Sequence, residues 1–216
     1  DFKAGSDHWI TAREYGEASD AASKFRLVQR AEPSAVVSYD DTQADLGVVL
    51  RTGAGLIYVN RYYDGTGGSP LGFPAGNSLQ QGSSGTPIKL KDWQWSSSTV
   101  GGLTVYNLSQ EVVYKSDVGG GSDPIVTSYT YAYRSGTNQI EQQTTTLPAV
   151  STSQNGSGTS PEQRELYDEF GNMIWEQGPK GFIDNFRYDI ATAARTQMID
   201  DVDSAVLPYP SGWTRP

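Results

Sequence analysis

The stretch from Tyr167 to Asp189, YDEFGNMIWEQGPKGFIDNFRYD, opens and closes on the same Tyr-Asp pair. Between the pairs lie Gly171-Asn172, the apolar alternation Met173, Ile174, Trp175, a second turn Gly178-Pro179-Lys180-Gly181, and a further alternation Phe182, Asp184, Phe186, Tyr188. Two short strands separated by Gly/Pro/Asn turns predict a β-hairpin, and a hairpin that ends where the next begins propagates as a repeat.

Outward from this stretch, a degenerate copy occurs at Gly55-Leu56-Ile57-Tyr58-Val59-Asn60-Arg61-Tyr62-Tyr63-Asp64. It matches Gly181 to Asp189 with one residue inserted. Tyr39-Asp40 is a further pair, preceded by Val36 and Val37. The chain is therefore expected to be several diverged units of one design.

The spacing resembles the YD repeat of bacterial RHS proteins: Tyr-Asp, two residues, Gly-Arg/Asn, an apolar strand, a Gly turn, and a return strand to the next Tyr-Asp. Tyr167, Asp168, Gly171, Asn172, Met173, Gly181, Tyr188 and Asp189 fall where that pattern places them, whereas Gln177-Gly178-Pro179 replaces its usual Asp. The polar phrase RSGTNQIEQQTTTLPAVSTSQNGSGTS is similar to segments of very large RHS proteins, so the likeness covers the C-terminal half better than the rest. The resemblance implies a sheet of consecutive antiparallel hairpins that belongs to a shell, rod or surface scaffold. It also implies partners: adjacent repeat units or copies of the chain itself. The family's self-cleavage motif, Asp-Pro-x-Gly, is not matched, because Ile125-Val126 follows Asp123-Pro124.

Composition agrees with short strands and turns. The 216 residues include 24 Gly and 11 Pro, too frequent for long helices, while 13 Tyr and 5 Trp suit half-exposed sheet faces. A net charge of −9 argues against a nucleic-acid partner, since phosphate binding draws on clustered Lys and Arg. No run of 18 apolar residues predicts a membrane span. Zero Cys removes disulfides, thiol nucleophiles and Cys-ligated metals. Abundant Ser, Thr, Gly and Tyr with little charge raise the expectation of an extracellular or cell-surface location, and both termini read as cut from a longer array.

Along the chain, Trp9, Thr11, Arg13 and Tyr15 alternate as a strand, a polar loop from Ser19 to Lys24 follows, and Phe25, Leu27 and Val28 begin the next strand. A short helix over Ala18 to Ser23 is the alternative. Residues 64–87 are rich in Gly, Ser and Pro and predict a loop-rich insertion within one repeat region spanning residues 1–216. Two echoes follow, each a glycine turn, a Pro-Ile entry and an aromatic strand. One leads to Trp93 and Trp95, the other to Tyr129, Tyr131 and Tyr133, and alternation places each set on one face.

Catalytic patterns are sparse. His8 is the only histidine, and no Gly-x-Ser-x-Gly, HExxH or GxxxxGK[ST] motif is present. Asp168 and Asp189 could form a glycosidase pair, but a short acceptor beside a turn also binds backbone N–H groups, the structural reading adopted here. Asp200, Asp201 and Asp203, and Asp117 with Asp123, could ligate Ca²⁺, although neither set matches a calcium loop and solvated turns explain them as well. The aromatic stripes Trp93, Trp95, Tyr129, Tyr131 and Tyr133 could stack on sugars or could serve cross-strand packing. The expectation is a non-catalytic scaffold without a cofactor; the alternatives are a carbohydrate-binding β module recognising cell-surface glycans, and a glycan-cleaving enzyme.

Overall fold

A computed structural model describes residues 10–40, 42, 47–116 and 122–215. His8, Trp9 and Asp117 lie outside the described residues, as does the Asp123 side chain. Among the described residues fourteen strands follow one another: β1 (Ala12–Tyr15), β2 (Leu27–Ala31), β3 (Val36–Tyr39), β4 (Val48–Leu50), β5 (Leu56–Tyr62), β6 (Pro74–Gln81), β7 (Ile88–Val100), β8 (Leu103–Ser116), β9 (Ser122–Tyr133), β10 (Ile140–Thr146), β11 (Glu162–Tyr167), β12 (Met173–Gln177), β13 (Ile183–Tyr188) and β14 (Arg195–Ile199). The protein is all-β. No helix among the described residues is long and apolar enough to cross a membrane.

Twelve strands form one antiparallel sheet in the order β1-β2-β5-β6-β7-β8-β9-β10-β11-β12-β13-β14. Almost every strand thus pairs with its neighbour in sequence, as a run of hairpins requires. The exception corrects the expectation of strict chain order. β3 and β4 leave the large sheet and pair with each other, so β2 continues directly to β5 through Gln29↔Val59, Arg30↔Tyr58 and Ala31↔Ile57. Tyr39-Asp40 consequently ends a strand of the small sheet.

The chain divides into two compact units, Asp1–Trp95 with Glu111–Ile125, and Ser96–Gln110 with Val126–Pro216. In the first unit the small sheet supplies the apolar partner that a half-polar sheet needs. Val36 and Val48 from it, with Ala35, meet Ala12, Ala31 and Ile57 of the large sheet to form the core. Gly55 approaches the short 3₁₀ turn Pro33–Ala35 closely. It has φ +82°, and a Cβ there would overlap the backbone of Ser34 and Ala35, so only glycine fits.

Residues 64–87 are more ordered than their composition suggests. β6 lies inside them and pairs with β5 from Leu56↔Gln81 to Tyr62↔Pro74. Pro74 is tolerated because it is the first residue of the strand. Gly76 has a packing reason: it stands opposite Arg61 on β5 and Asp92 on β7, and the Arg61–Asp92 ion pair crosses over it. Asp92 also accepts bonds from Lys89 (2.8 Å) and the Tyr114 hydroxyl (2.7 Å), so one carboxylate ties three side chains together. Burial resists its ionisation, but Lys89, Tyr114 and Arg61 together hold its pKa below the usual carboxylate value.

In the second unit the buried residues are Ile183, Asn185 and Phe186 of β13, Gln177 of β12, and Val202 and Trp213 of the C-terminal segment. Both faces of β13 are therefore covered. The alternation Phe182, Asp184, Phe186, Tyr188 does not mark a single buried face, since Phe182 is 48% exposed and Ile183 is fully buried.

Gly76→Ala is expected to destabilise the chain by about 1–3 kcal/mol, the usual cost of overpacking. A Gly→Ala change in compatible backbone would instead stabilise by roughly 0.4–1 kcal/mol. Chemical denaturation of G76A, R61A and the double variant checks this: the double variant should cost less than the sum, because one clash and one ion pair share the site.

Candidate functional site

The Tyr-Asp pairs occupy strand ends, and each aspartate organises the turn that follows. Asp40 Oδ1 accepts from the Thr42 N–H (3.0 Å) and its hydroxyl (2.6 Å). Asp64 Oδ1 accepts from the Thr66 N–H (2.9 Å) and hydroxyl (2.7 Å). Asp189 Oδ1 does the same with Thr192, at 2.9 and 2.8 Å. Asp168 uses a different partner set: Oδ1 accepts from the N–H groups of Phe170 (2.9 Å) and Asn172 (2.8 Å), and Oδ2 from the Asn172 amide (3.0 Å). A short acceptor held two atoms from its own backbone is well placed for this, because it folds the chain back over itself.

The titration of these groups carries the imprint of the turn. At Asp64 the Thr66 N–H, and at Asp189 the Thr192 hydroxyl, is the largest influence lowering the pKa. Burial opposes the charge at Asp168, but the bonds from Asn172 and Phe170 and the nearby Arg134 outweigh it and lower the pKa. The threonine partners follow no part of the Tyr-Asp pattern itself; Asp64-Gly65-Thr66 and Asp189-Ile190-Ala191-Thr192 are the sequence signals of such turns. Gly171 (φ +85°) and Gly181 (φ +86°) supply the left-handed backbone at the two turns that bound β12.

Asp168 lines a groove of about 480 Å³ in the second unit, and Asp189 does not, although its neighbours Tyr188 and Ile190 do. The other lining residues include Arg134, Phe170 and Ile174. Arg134 bonds the Tyr167 carbonyl (2.5 Å) and pairs with Glu141 (3.6 Å), which leaves it anchored to structure on both sides. The glycosidase reading needs two carboxylates free to meet a substrate, and both aspartates are engaged by their own turns.

The aromatic stripes are likewise tied to neighbouring strands. The Trp93 indole N–H donates to Glu111 (2.9 Å), and that of Trp95 to the Pro74 carbonyl (2.9 Å) while its ring meets Phe73 edge-on at 4.8 Å. Tyr131 donates to the Leu108 carbonyl (2.7 Å), and Tyr133 accepts from Asn107 (3.0 Å). Tyr129, Tyr131 and Tyr133 line one groove of about 380 Å³ with Ser96, Ser97 and Ser109. Burial, then the neighbouring Tyr129 and Tyr133, push the Tyr131 phenol up to about 12.

Sequence reading gave no sign of a row that only strand register can create. Glu165 on β11 stands opposite Glu176 on β12, and Glu176 opposite Asp184 on β13. Like charges directly opposite destabilise a sheet. The Gln163 amide bridges the first two, donating to Glu165 (3.1 Å) and Glu176 (3.0 Å), and the Tyr167 hydroxyl donates to Glu165. No Lys or Arg among the described residues forms an ion pair with these three. Burial, then Glu165 and Asp184, raise the Glu176 pKa.

Asp200, Asp201 and Asp203 do not converge on one point as ligands. Asp201 pairs with Arg215 at 2.5 Å, and Asp203 accepts from the Ala205 N–H at 2.9 Å. Among the described residues no group of three or more His, Asp or Glu is placed to hold a metal ion. Comparison with known protein families and with curated proteins finds no match to this chain.

The Glu176 row sets a pH dependence. A carboxyl whose pKa is higher folded than unfolded favours the fold fully below its unfolded value, and that contribution is lost as pH rises through the folded value. Glu176→Gln should therefore gain on wild type as pH rises: the variant's melting temperature relative to wild type is expected to be higher at pH 7 than at pH 4.5. Thermal melts at several pH values check this, and parallel curves would contradict it.

Proposed function

We propose that the chain is a non-catalytic structural segment of an extracellular or cell-surface RHS/YD-repeat assembly, a scaffold, shell or fibre subunit that joins adjacent repeat units or copies of itself through sheet edges. The observation that carries this is the end of the sheet. β14 is the last strand in the order and pairs on one side, with β13; four of its five residues are exposed. A one-sided strand presents main-chain donors and acceptors to any further strand, and natural proteins guard such edges with Pro, Lys or bulges. Arg195-Thr196-Gln197-Met198-Ile199 contains neither Pro nor Lys, and its one register shift lies at the Arg195 end, where Tyr188 pairs, so Gln197 to Ile199 stay open. The repeat-like hairpins support the family likeness, and the turn-forming use of each Tyr-Asp carboxylate supports a structural role over a catalytic one.

Carbohydrate binding is the less favoured reading. The polar tips of Trp93, Trp95 and Tyr131 bond neighbouring strands, so these side chains already serve cross-strand packing.

Sheet-edge association is tested by light scattering and electron microscopy of the purified chain beside the Thr196→Lys/Met198→Lys variant. Wild type should form assemblies that grow with concentration, and the variant should lose most of them. A wild-type chain that stays monomeric across the concentration range would contradict the proposal.

A further inference from the structure

The C-terminal segment beyond Val202, residues 203–215, packs on the second unit without joining its sheet. Val202 is 2% exposed and donates its N–H to the Ile183 carbonyl at 2.8 Å. Beyond it, among the described residues, no main-chain bond links residues 203–215 to a strand. Two prolines explain part of this, since Pro208 and Pro210 have no N–H to give a ladder.

Side chains do the holding instead. Arg164 on β11 and Gln177 on β12 are direct cross-strand partners. Arg164 donates to the Gly212 carbonyl at 3.2 Å, and Gln177 to the Thr214 carbonyl at 2.7 Å. The residue between those carbonyls, Trp213, is buried to 5% exposure. Both holders are themselves braced, Arg164 by Glu162 at 2.8 Å and Gln177 by the Gly181 carbonyl at 3.4 Å. Gln177 is 8% exposed, so its amide is a buried polar group whose main partner is this segment.

Two side chains reading the carbonyls on either side of a buried tryptophan is a way of recognising a peptide: the carbonyl bonds fix direction and register, and the ring supplies the burial. The segment is presented as a turn, with the Trp213 N–H donating to the Pro210 carbonyl at 3.1 Å and Gly212 in the left-handed region at φ +80°. The connection also suits release. Asp203, Ser204, Ala205 and Val206 are all exposed, and Val206 is 80% so. Residues 203–215 can therefore leave by breaking side-chain contacts alone, with Val202 still held to β13.

We infer that Arg164, Gln177 and the buried seat of Trp213 form a peptide-binding clasp, filled in cis by the chain's own Gly-Trp-Thr segment and able to take the same segment from a second copy of the chain. This rests on the geometry of the second unit and not on the sheet-edge reading. The tether keeps the cis segment at high effective concentration, so exchange between copies is favoured where copies are crowded or the cis segment is displaced.

The test uses the full chain and a fluorescently labelled synthetic peptide of residues 208–215. Trp213→Ala empties the seat but leaves the clasp, and should bind the peptide saturably in anisotropy titrations. Wild type, whose clasp is filled, should bind it about tenfold or more weakly. The same peptide with its tryptophan replaced by alanine should lose about tenfold or more on W213A. Arg215→Ala is the second variant, for the case in which W213A does not fold: it removes the ion pair to Asp201, keeps Trp213, and should also bind more tightly than wild type. The proposal is overturned if neither variant binds the peptide more tightly than wild type, or if the tryptophan-free peptide binds equally well.

Discussion

The structure depends on a carboxylate at the end of a strand turning the chain back. Each Tyr-Asp pair finishes a strand or lies just past its end, and the aspartate accepts bonds from residues two to four positions on. Such a turn is local, so it forms from sequence neighbours and sets the register of the strand that follows. A sheet that grows in chain order is the natural result, because each new strand starts beside the one just completed. Where the chain leaves that order, at β3 and β4, the excursion supplies the first unit with its core.

A limited core shapes the rest. Among the described residues the buried apolar side chains are few; apart from Val112 they concentrate around Ile57 and Val36 in the first unit and around Ile183, Val202 and Trp213 in the second. Strands such as β7 and β10 carry mainly half-buried side chains and are held by ladders and cross-strand pairs. Asp92 binding Arg61, Lys89 and Tyr114 is one such device, and the Gln163 amide between Glu165 and Glu176 is another. The two differ in sign: Asp92 gathers cations and a hydroxyl around one charge, whereas the Glu176 row gathers like charges with an amide and a phenol to separate them.

The hairpin of Tyr167 to Asp189 was legible because its signals are local: Gly171 and Gly181 adopt positive φ and Asp168 closes the turn. β6 was hidden because Pro74, Gly76 and Asn77 look like loop residues, and Gly76 is required by a pair of charges on strands either side of it. The departure of β3 and β4 was invisible, since which strand β2 pairs with is decided by burial of Val36 and Val48, far from any local motif. The row Glu165, Glu176, Asp184 exists only once register aligns three strands. Trp213 was hidden in a Pro- and Gly-containing tail, where neither helical nor strand periodicity marks a buried position. The threonine partners of Asp64 and Asp189 are legible in sequence, as Asp-x-Thr and Asp-x-x-Thr spacings directly after the Tyr-Asp pair.

Amide hydrogen exchange on Asp168 variants tests most directly the claim that strand-end carboxylates set the hairpins. Asp168→Ala removes the side-chain acceptors from the turn and leaves its main-chain bonds, Gly171 N–H to the Asp168 carbonyl and Asp168 N–H to the Asn172 carbonyl, whereas Asp168→Asn keeps a short side-chain oxygen in place. The account predicts that the alanine variant loses protection at the Phe170 and Asn172 amides and along β11 and β12, and that the asparagine variant keeps most of it. Unchanged protection in Asp168→Ala would show that the sheet sets the turn, and would contradict the account.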